Sequence, residues 1–281
     1  MAGSPTVRRR RLAVELRRRR EQIGLTIDEA ASAADISKSA LSRIENALVT
    51  PRVPVVRALI HAYKIDESGA SALVELSREA SRRGWWQSYG DVLSEQTSNF
   101  IGFEAEASAI RTYECLVVPG ILQTAEYAKA ITRGFQLPFD DETVERIIAA
   151  RIRRKERLDE QLELWAIIEE HVLRRPTGGP AVMRGQLAHL AELSRTRPNV
   201  TLQVLPNSIS AHPGFDGPFV VLEFGNAGDP DLGYVESQAG ELWLDRPDDV
   251  RRLNRAFDHL RAFAMSPEAS INLLEDLSRT T

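Results

Sequence analysis

The chain has 281 residues, 43% of them hydrophobic, and a single cysteine, Cys115. That length predicts two domains; one cysteine excludes an intramolecular disulfide, and the lack of an N-terminal apolar segment or a run of roughly 20 apolar residues predicts a cytoplasmic protein with no membrane span. The formal charge of −4 hides an asymmetry, because residues 1 to 84 hold 16 of the 36 Lys and Arg but only 10 of the 40 Asp and Glu, and a basic head on an acidic body suits contact with nucleic acid through the head alone.

Residues Met1 to Val7 are small and polar and predict a disordered start. Arg8 to Arg20 contains eight arginines and one acid, with Leu12, Leu16 and Ile23 at helical spacing, and predicts a first helix. Its arginines suit phosphate contacts, which position a protein without reading sequence. Thr26 with Glu29 three residues later forms a capping box, opening a second helix whose apolar face is Ala30, Ala31 and Ala34. Asp35 takes a turn position where left-handed backbone is needed, which Asp tolerates better than most residues. Ser37 caps a third helix with Ala40, Leu41 and Ile44 inward and Lys38, Ser39, Ser42 and Arg43 outward. The outward set suits a major groove, since Lys and Arg donate to guanine O6 and N7 and Ser serves several base edges. An ordinary helical hairpin with a solvated polar face is the alternative. After a loop from Ala47 to Pro54, a fourth helix is predicted around Val55, Val56, Leu59, Ile60 and Tyr63. A fifth spans Gly69 to Arg83, with Leu73, Leu76 and Ala80 inward. Arg82-Arg83-Gly84 closes a first domain of residues 1–84.

Gly24-Leu25-Thr26, Glu29-Ala30-Ala31, Ile36-Ser37-Lys38-Ser39 and Ser42-Arg43-Ile44-Glu45-Asn46 resemble, over roughly Arg10 to Arg83, the Cro and repressor-like helix-turn-helix family, the XRE family. The resemblance implies an all-α, five-helix, lambda-repressor-like domain that binds double-stranded DNA. A homodimer is expected, because such hairpins usually read two half-sites one helical turn apart. On this reading Lys38, Ser39, Ser42 and Arg43 read bases, and Arg8, Arg9, Arg10, Arg11, Arg17, Asn46 and Arg52 contribute phosphate contacts. Two positions depart from the family pattern: Ile27 stands where a phosphate-holding Gln is frequent, and Ala47 where Gly is usual after the recognition helix.

The remainder, residues 85–281, reads as a mixed α/β domain. Trp85, Trp86 and Tyr89 suit interdomain or core packing, or a ligand cage. Arg111 to Val118 predicts a buried strand, broken by Pro119-Gly120, with a helix over Ile121 to Ile131. Glu142 to Leu158 predicts a helix with Val144, Ile147, Ile148 and Ile152 inward. Arg146, Arg151, Arg153, Arg154, Lys155 and Arg157 face mostly outward, as a solvated face or as a site for an anionic ligand or acidic partner. Strands are predicted at 162–169, 200–205, 218–224, 232–236 and 241–244, with turns at 225–230 and 238–240. Gly178-Gly179-Pro180 leads into a helix carrying Met183, Leu187 and Leu190. Val250, Leu253, Phe257, Leu260 and Ala264 mark a long helix behind Asp248 and Asp249, and Ser266-Pro267 starts the last one.

No phosphate loop, nucleophile elbow or dinucleotide fingerprint occurs. His61, His171, His189, His212 and His259 lack metal-ligand spacing, so neither metal nor cofactor is expected. Glu169-Glu170-His171 is the nearest approach to an acid-base cluster, but adjacent residues do not share a face. From Trp86 almost to the end, the chain resembles the C-terminal region of WhiJ-like actinobacterial regulators, a domain of unknown function. The likeness is carried by Val118-Pro119-Gly120-Ile121-Leu122-Gln123-Thr124-Ala125-Glu126-Tyr127-Ala128, by Arg151-Ile152-Arg153-Arg154, by the run Pro198 to Pro206 and by Ser266-Pro267-Glu268-Ala269-Ser270. That resemblance implies a transcription regulator, commonly described as antitoxin-like, whose gene often lies beside one for a small partner protein. Two switches therefore stay open: a small partner protein docking on the acidic body, or a small ligand beside Trp85, Trp86 and Tyr89. Arg151, Arg153 and Arg154 are the further contact candidates. An enzyme with a DNA-binding appendage is the third reading, and the lack of a nucleophile or metal motif argues against it.

Overall fold

The computed structural model describes residues 5–135, 139–159, 162–225 and 229–281. The chain divides into two compact units, one formed by residues up to 88 with 97–106, the other by 89–96 with 107–281.

The N-terminal unit is helical: α1 (Pro5–Gln22), α2 (Ile27–Ala33), α3 (Lys38–Glu45), α4 (Val53–Ala62) and α5 (Glu67–Ala80). Their apolar stripes meet in one core of Leu12, Leu16, Ala30, Ala31, Ala34, Leu41, Ile44, Val56, Leu59, Tyr63 and Leu73. Two expectations are corrected here. Helix α1 already begins at Pro5, with Val7 buried, so 5–7 are not a disordered start, while 1–4 lie outside the described residues. Pro54 sits in the first turn of α4 rather than in the loop before it, where its missing N–H has no intrahelical acceptor to lose. A 3-10 turn (Trp85–Tyr89) and α6 (Glu95–Glu104) follow, the latter a helix that the sequence pattern does not announce. Trp86 is buried, edge-on to Trp85 with ring centroids 6.0 Å apart. It also lies against Gly102, where an added Cβ would stand 2.3 Å from Thr6 Oγ1 and 3.2 Å from the Trp86 ring. Glycine at 102 is thus a condition of α6 packing in this unit.

The C-terminal unit is built on six strands, β1 (Ala109–Glu114), β2 (Glu163–Glu169), β3 (Val200–Leu205), β4 (Phe219–Glu223), β5 (Leu232–Ser237) and β6 (Gly240–Leu244). They lie in the order β3-β2-β1-β4-β5-β6, with β1, β2 and β3 mutually parallel and the other neighbours antiparallel. The parallel pair β2 and β3 is apolar nearly throughout, as expected of strands covered on both faces. The helices are α7 (Ala125–Gly134), α8 (Asp141–Arg153), α9 (Glu170–Arg174), α10 (Pro180–Thr196), α11 (Pro247–Phe263) and α12 (Pro267–Thr280). Tyr113, Ile167, Leu205, Phe219 and Val221 form one face of the sheet with Val250, Phe257 and Leu260 of α11 packed on it.

Three boundaries differ from expectation. Strand β1 ends at Glu114, because the Cys115 carbonyl is bonded to His171 Nε2 at 2.9 Å and the chain leaves the sheet there. The helix expected at Ile121 starts at Ala125, capped by Thr124, whose Oγ1 accepts from Tyr127 N at 3.2 Å. Residues 120–122 form a 3-10 turn instead, and Gln186 of α10 holds it by accepting from Thr124 N (2.7 Å) and donating to Leu122 O (2.9 Å). Helix α8 stops at Arg153 and continues as a 3-10 segment to Asp159. Of the turn expected at 225–230, residues 226–228 lie outside the described residues.

Candidate DNA interface

Local capping builds the hairpin. Glu29 N donates to Thr26 Oγ1 at 3.3 Å and Thr26 N donates to Glu29 Oε2 at 2.9 Å, completing the box and holding the Glu29 carboxyl below its usual range. Asp35 has the expected left-handed backbone, φ 52°. Ser37 Oγ then accepts from Ala40 N at 3.1 Å, which fixes where α3 begins and hence which residues face out. Leu41 and Ile44 are buried, Lys38, Ser39 and Arg43 are exposed, and Ser42 is half-buried. Ala47 closes α3 with φ 55°, a conformation that explains the usual preference for Gly at this position.

The four base-reading candidates therefore share the outer side of one helix. Among the described residues, Arg43 and Ser39 make no side-chain hydrogen bond or ion pair. Lys38 Nζ is 2.7 Å from Asp28 Oδ2, with both side chains about two-thirds exposed (65% and 64%). A surface pair of this kind is worth only about 0–1 kcal/mol and yields readily to a phosphate or a base. Asn46 is committed locally, donating from Nδ2 to Ser42 O at 2.8 Å. Arg52 is exposed at the start of α4 and has no acidic partner among the described residues. Ile27 packs against the core, so the position where the family frequently has Gln serves the fold here.

The arginines of α1 divide. Arg8 pairs with Glu79 of α5 at 3.1 Å, Arg9, Arg10 and Arg11 are half-buried, and Arg17 pairs with Glu21 at 2.9 Å on the surface. Arg20, not singled out by the sequence reading, has the largest structural role. Its Nε and Nη2 donate to the Glu45 carboxylate at 2.7 and 2.9 Å, and its Nη1 donates to Leu25 O at 2.8 Å. This buried fork joins the C-terminal end of α1 to that of α3 and to the entry of α2. Arg8 to Arg11 lie roughly 13–18 Å away along α1. No local signal marks the pair, because its members are 25 residues apart.

The remaining candidates fall elsewhere. Trp85 and Trp86 belong to the N-terminal unit, and Tyr89 belongs to the other. Arg151 Nη1 donates to Gln123 Oε1 at 2.9 Å, and Gln123 Nε2 donates to Val118 O at 2.7 Å. Burial, reinforced by the neighbouring Arg154 charge, pushes Arg151 down to about 10. The Arg154 guanidinium lies over Gly120, 2.9 Å from where a Cβ would sit. Arg153 is exposed and turns to Glu156 at 3.9 Å. Arg151 and Arg154 are thus brought together on the 118–123 turn, and Arg153 is directed away from it.

A polar cluster also emerges that strand position alone does not suggest. Tyr113 OH donates to Glu169 Oε1 at 2.6 Å, His212 Nε2 is 3.3 Å from the same oxygen, and His171 Nδ1 is 3.9 Å from Oε2. Glu169 and His171 do approach one another, whereas Glu170 turns away to Arg174 and to Asn207 N. Gly214 N donates to His212 Nδ1 at 3.2 Å, so Nε2 carries the hydrogen that faces Glu169. Among the described residues no group of His, Cys, Asp and Glu is arranged to hold a metal.

Residues 11–73 match the family described as "Helix-turn-helix domain", and residues 97–276 match the family described as "Domain of unknown function (DUF5753)". Neither the curated proteins nor the solved structures contain a match to the chain.

Proposed function

The chain belongs to the family of the domain of unknown function DUF5753, with a helix-turn-helix domain ahead of it, and we propose that it is a sequence-specific, double-stranded-DNA-binding regulator of transcription. The observation that supports this most directly is the outer side of α3. Arg43 and Ser39 are exposed there with no internal partner among the described residues, beside the weakly held Lys38, on a helix whose register is set by caps. In the major groove Lys38, Ser39, Ser42 and Arg43 read base edges, while Arg52, Arg17 and the basic start of α1 meet phosphates. The protein acts as a homodimer, each copy reading one half-site.

The finer reading is an antitoxin-like member of the XRE class, with the WhiJ-like arrangement, acting in the cytoplasm and controlled by a small partner protein. Support for a partner on the C-terminal unit comes from its acidic charge, which complements a basic protein surface. Among the described residues no helix is long and apolar enough to cross a membrane. A second reading, control by a small anionic ligand, draws on Arg151, a buried guanidinium whose only side-chain hydrogen bond among the described residues is to the neutral Gln123 amide.

The test is binding to DNA from the protein's own upstream region across a salt series, against random DNA. Arg43→Ala should weaken the specific complex by about 1–3 kcal/mol and the random complex much less, with affinity falling steeply as salt rises. Equal loss on both DNAs would sink base readout by α3. Co-purification separates the two control readings, since a partner adds a second polypeptide and a ligand does not.

A further inference from the structure

The end of α5 and the chain just beyond it form one wall of a cavity in the N-terminal unit. Its volume is about 320 Å³, and it is lined by Thr6 and Arg9 from the start of α1, by Thr50 of the loop after α3, and by Arg82, Arg83 and Gln87. Its walls are fixed from within. Ser81 Oγ donates to Ser77 O at 2.8 Å, and the buried Ser77 Oγ donates to Pro51 O at 2.9 Å, which ties the end of α5 to the loop that carries Thr50. Beyond Arg83 the chain is pinned by the buried Trp86, whose ring lies so close over Gly84 that an added Cβ would stand 2.4 Å from it.

The charge of this cavity has one sign. Its lining includes three arginines and no carboxylate. Other exposed arginines of the same unit sit on acids: Arg17 on Glu21, Arg18 on Glu15 and Arg78 on Glu75. Arg82 and Arg83 make no side-chain hydrogen bond or ion pair among the described residues. Glu79, three residues before Arg82, is already held by Arg8 at 3.1 Å. The N-terminal end of α1, a helix of 18 residues, adds its partial positive charge at the same place. A guanidinium has five donors and no acceptor, so this lining favours an anion with several acceptor oxygens and disfavours a cation. Phosphate fits best, because its oxygens match the guanidinium fork two at a time.

We propose that this cavity is a phosphate-binding site in which Arg82 and Arg83 grip the anion, with the Thr50 hydroxyl and the Gln87 amide as further donors on its rim. The phosphate comes either from the DNA backbone or from a small phosphorylated molecule, and the chemistry of recognition is the same. Thr50 connects the site to the first source, since it lies between α3 and Arg52 on the loop that leaves α3. That source rests on the DNA-binding reading above; the second does not. A backbone phosphate held here adds to affinity and to register on the duplex without reading sequence.

The test uses the full chain and the variants Arg82→Gln, Arg83→Gln and their double, with Arg78→Gln, an exposed arginine of α5 outside the cavity, as the control for lost charge. Far-UV circular dichroism should be unchanged in all four, because the side chains replaced are on the surface. In one arm, inorganic pyrophosphate is titrated calorimetrically in chloride buffer without DNA. In the other, the slope of log K against log salt is measured on specific and on random DNA. If the source is DNA, Arg82→Gln and Arg83→Gln each lower that slope by about 1 on both DNAs, while Arg78→Gln leaves it alone. If the source is a small molecule, pyrophosphate binds the wild type, the double variant weakens it at least tenfold, and the DNA slope stays as it was. A double variant that matches the wild type in both arms would overturn the site and leave the DNA-binding reading standing. A wild type that binds DNA nowhere overturns that reading, and pyrophosphate alone then decides the site: no binding, or equal binding by the double variant, overturns it as well.

Discussion

Removing one side of the buried Arg20–Glu45 pair tests how α3 is held. In Glu45→Ala the guanidinium loses the bonds from Nε and Nη2 to Glu45 and keeps Leu25 O and a longer contact from Nη2 to the half-exposed Glu21 carboxylate at 3.6 Å, in a site where the Arg20 side chain is 9% exposed and that of Glu45 was 3% exposed. An exposed pair would cost about 0–1 kcal/mol. Breaking a buried pair by removing one partner costs about 3–5 kcal/mol, because the remaining charge is left uncompensated. The burial of both partners places this pair in the second class. Against a total stability of about 5–15 kcal/mol for a domain, that is a large share. Hydrogen exchange of the α1 to α5 amides reads the N-terminal unit separately from the other one. The loss should appear there as a rise in the opening equilibrium of about a hundredfold or more, at 1.4 kcal/mol per factor of ten. The double variant Arg20→Leu/Glu45→Leu should recover most of it, since apolar replacement of a buried pair is often neutral or stabilising. A loss under about 1 kcal/mol in Glu45→Ala would refute the reasoning and assign the position of α3 to the apolar core alone.

Other expectations are smaller and independent. Ala47→Gly relieves a left-handed alanine and should stabilise the N-terminal unit by about 0.5–1 kcal/mol net of the added chain entropy, read as an increase in urea midpoint; a decrease would show that φ 55° is not strained here. Gly102→Ala should destabilise α6 by about 1–3 kcal/mol, because its methyl meets Thr6 and Trp86. Unchanged exchange of the α6 amides would contradict that packing. Glu114, half-buried and near Glu236, has its carboxyl pushed up to about 8, mainly by burial. The folded state then binds this proton more tightly than the unfolded chain. Its contribution is fully present below about 4.5 and is lost as pH rises through about 8. The C-terminal unit should lose stability over that window and Glu114→Gln should flatten the loss; the same slope in both proteins would exclude Glu114 as its source.

What was legible in the sequence was whatever is decided within four residues. The Thr26/Glu29 box, the Ser37 cap and the left-handed Asp35 each involve neighbours along the chain, and the hairpin follows from them. Strand β3 was readable end to end because its apolar run is bounded by Asn199 and Pro206. Helix α6 was not, since NFIGFE has no helical apolar period and its burial depends on Gly102 lying under Trp86. The start of α7 did carry a signal, the Thr124 cap, but Ile121 and Leu122 beside it imitate the first apolar turn of a helix.

The same distinction explains why the candidate interfaces differ in legibility. The candidate base-reading side chains are those that packing leaves outside a well-capped helix, so periodicity alone singles out Lys38, Ser39 and Arg43 as candidates. The residues that hold that helix in place, Arg20 and Glu45, are linked only through the tertiary fold. The β6 edge goes one step further. Nothing in Gly240-Glu241-Leu242-Trp243-Leu244 distinguishes an outer strand from an inner one, and its apolar residues suit either. Only the strand order, with β5 on one side and, among the described residues, no strand on the other, turns Leu242 from a core residue into an exposed one.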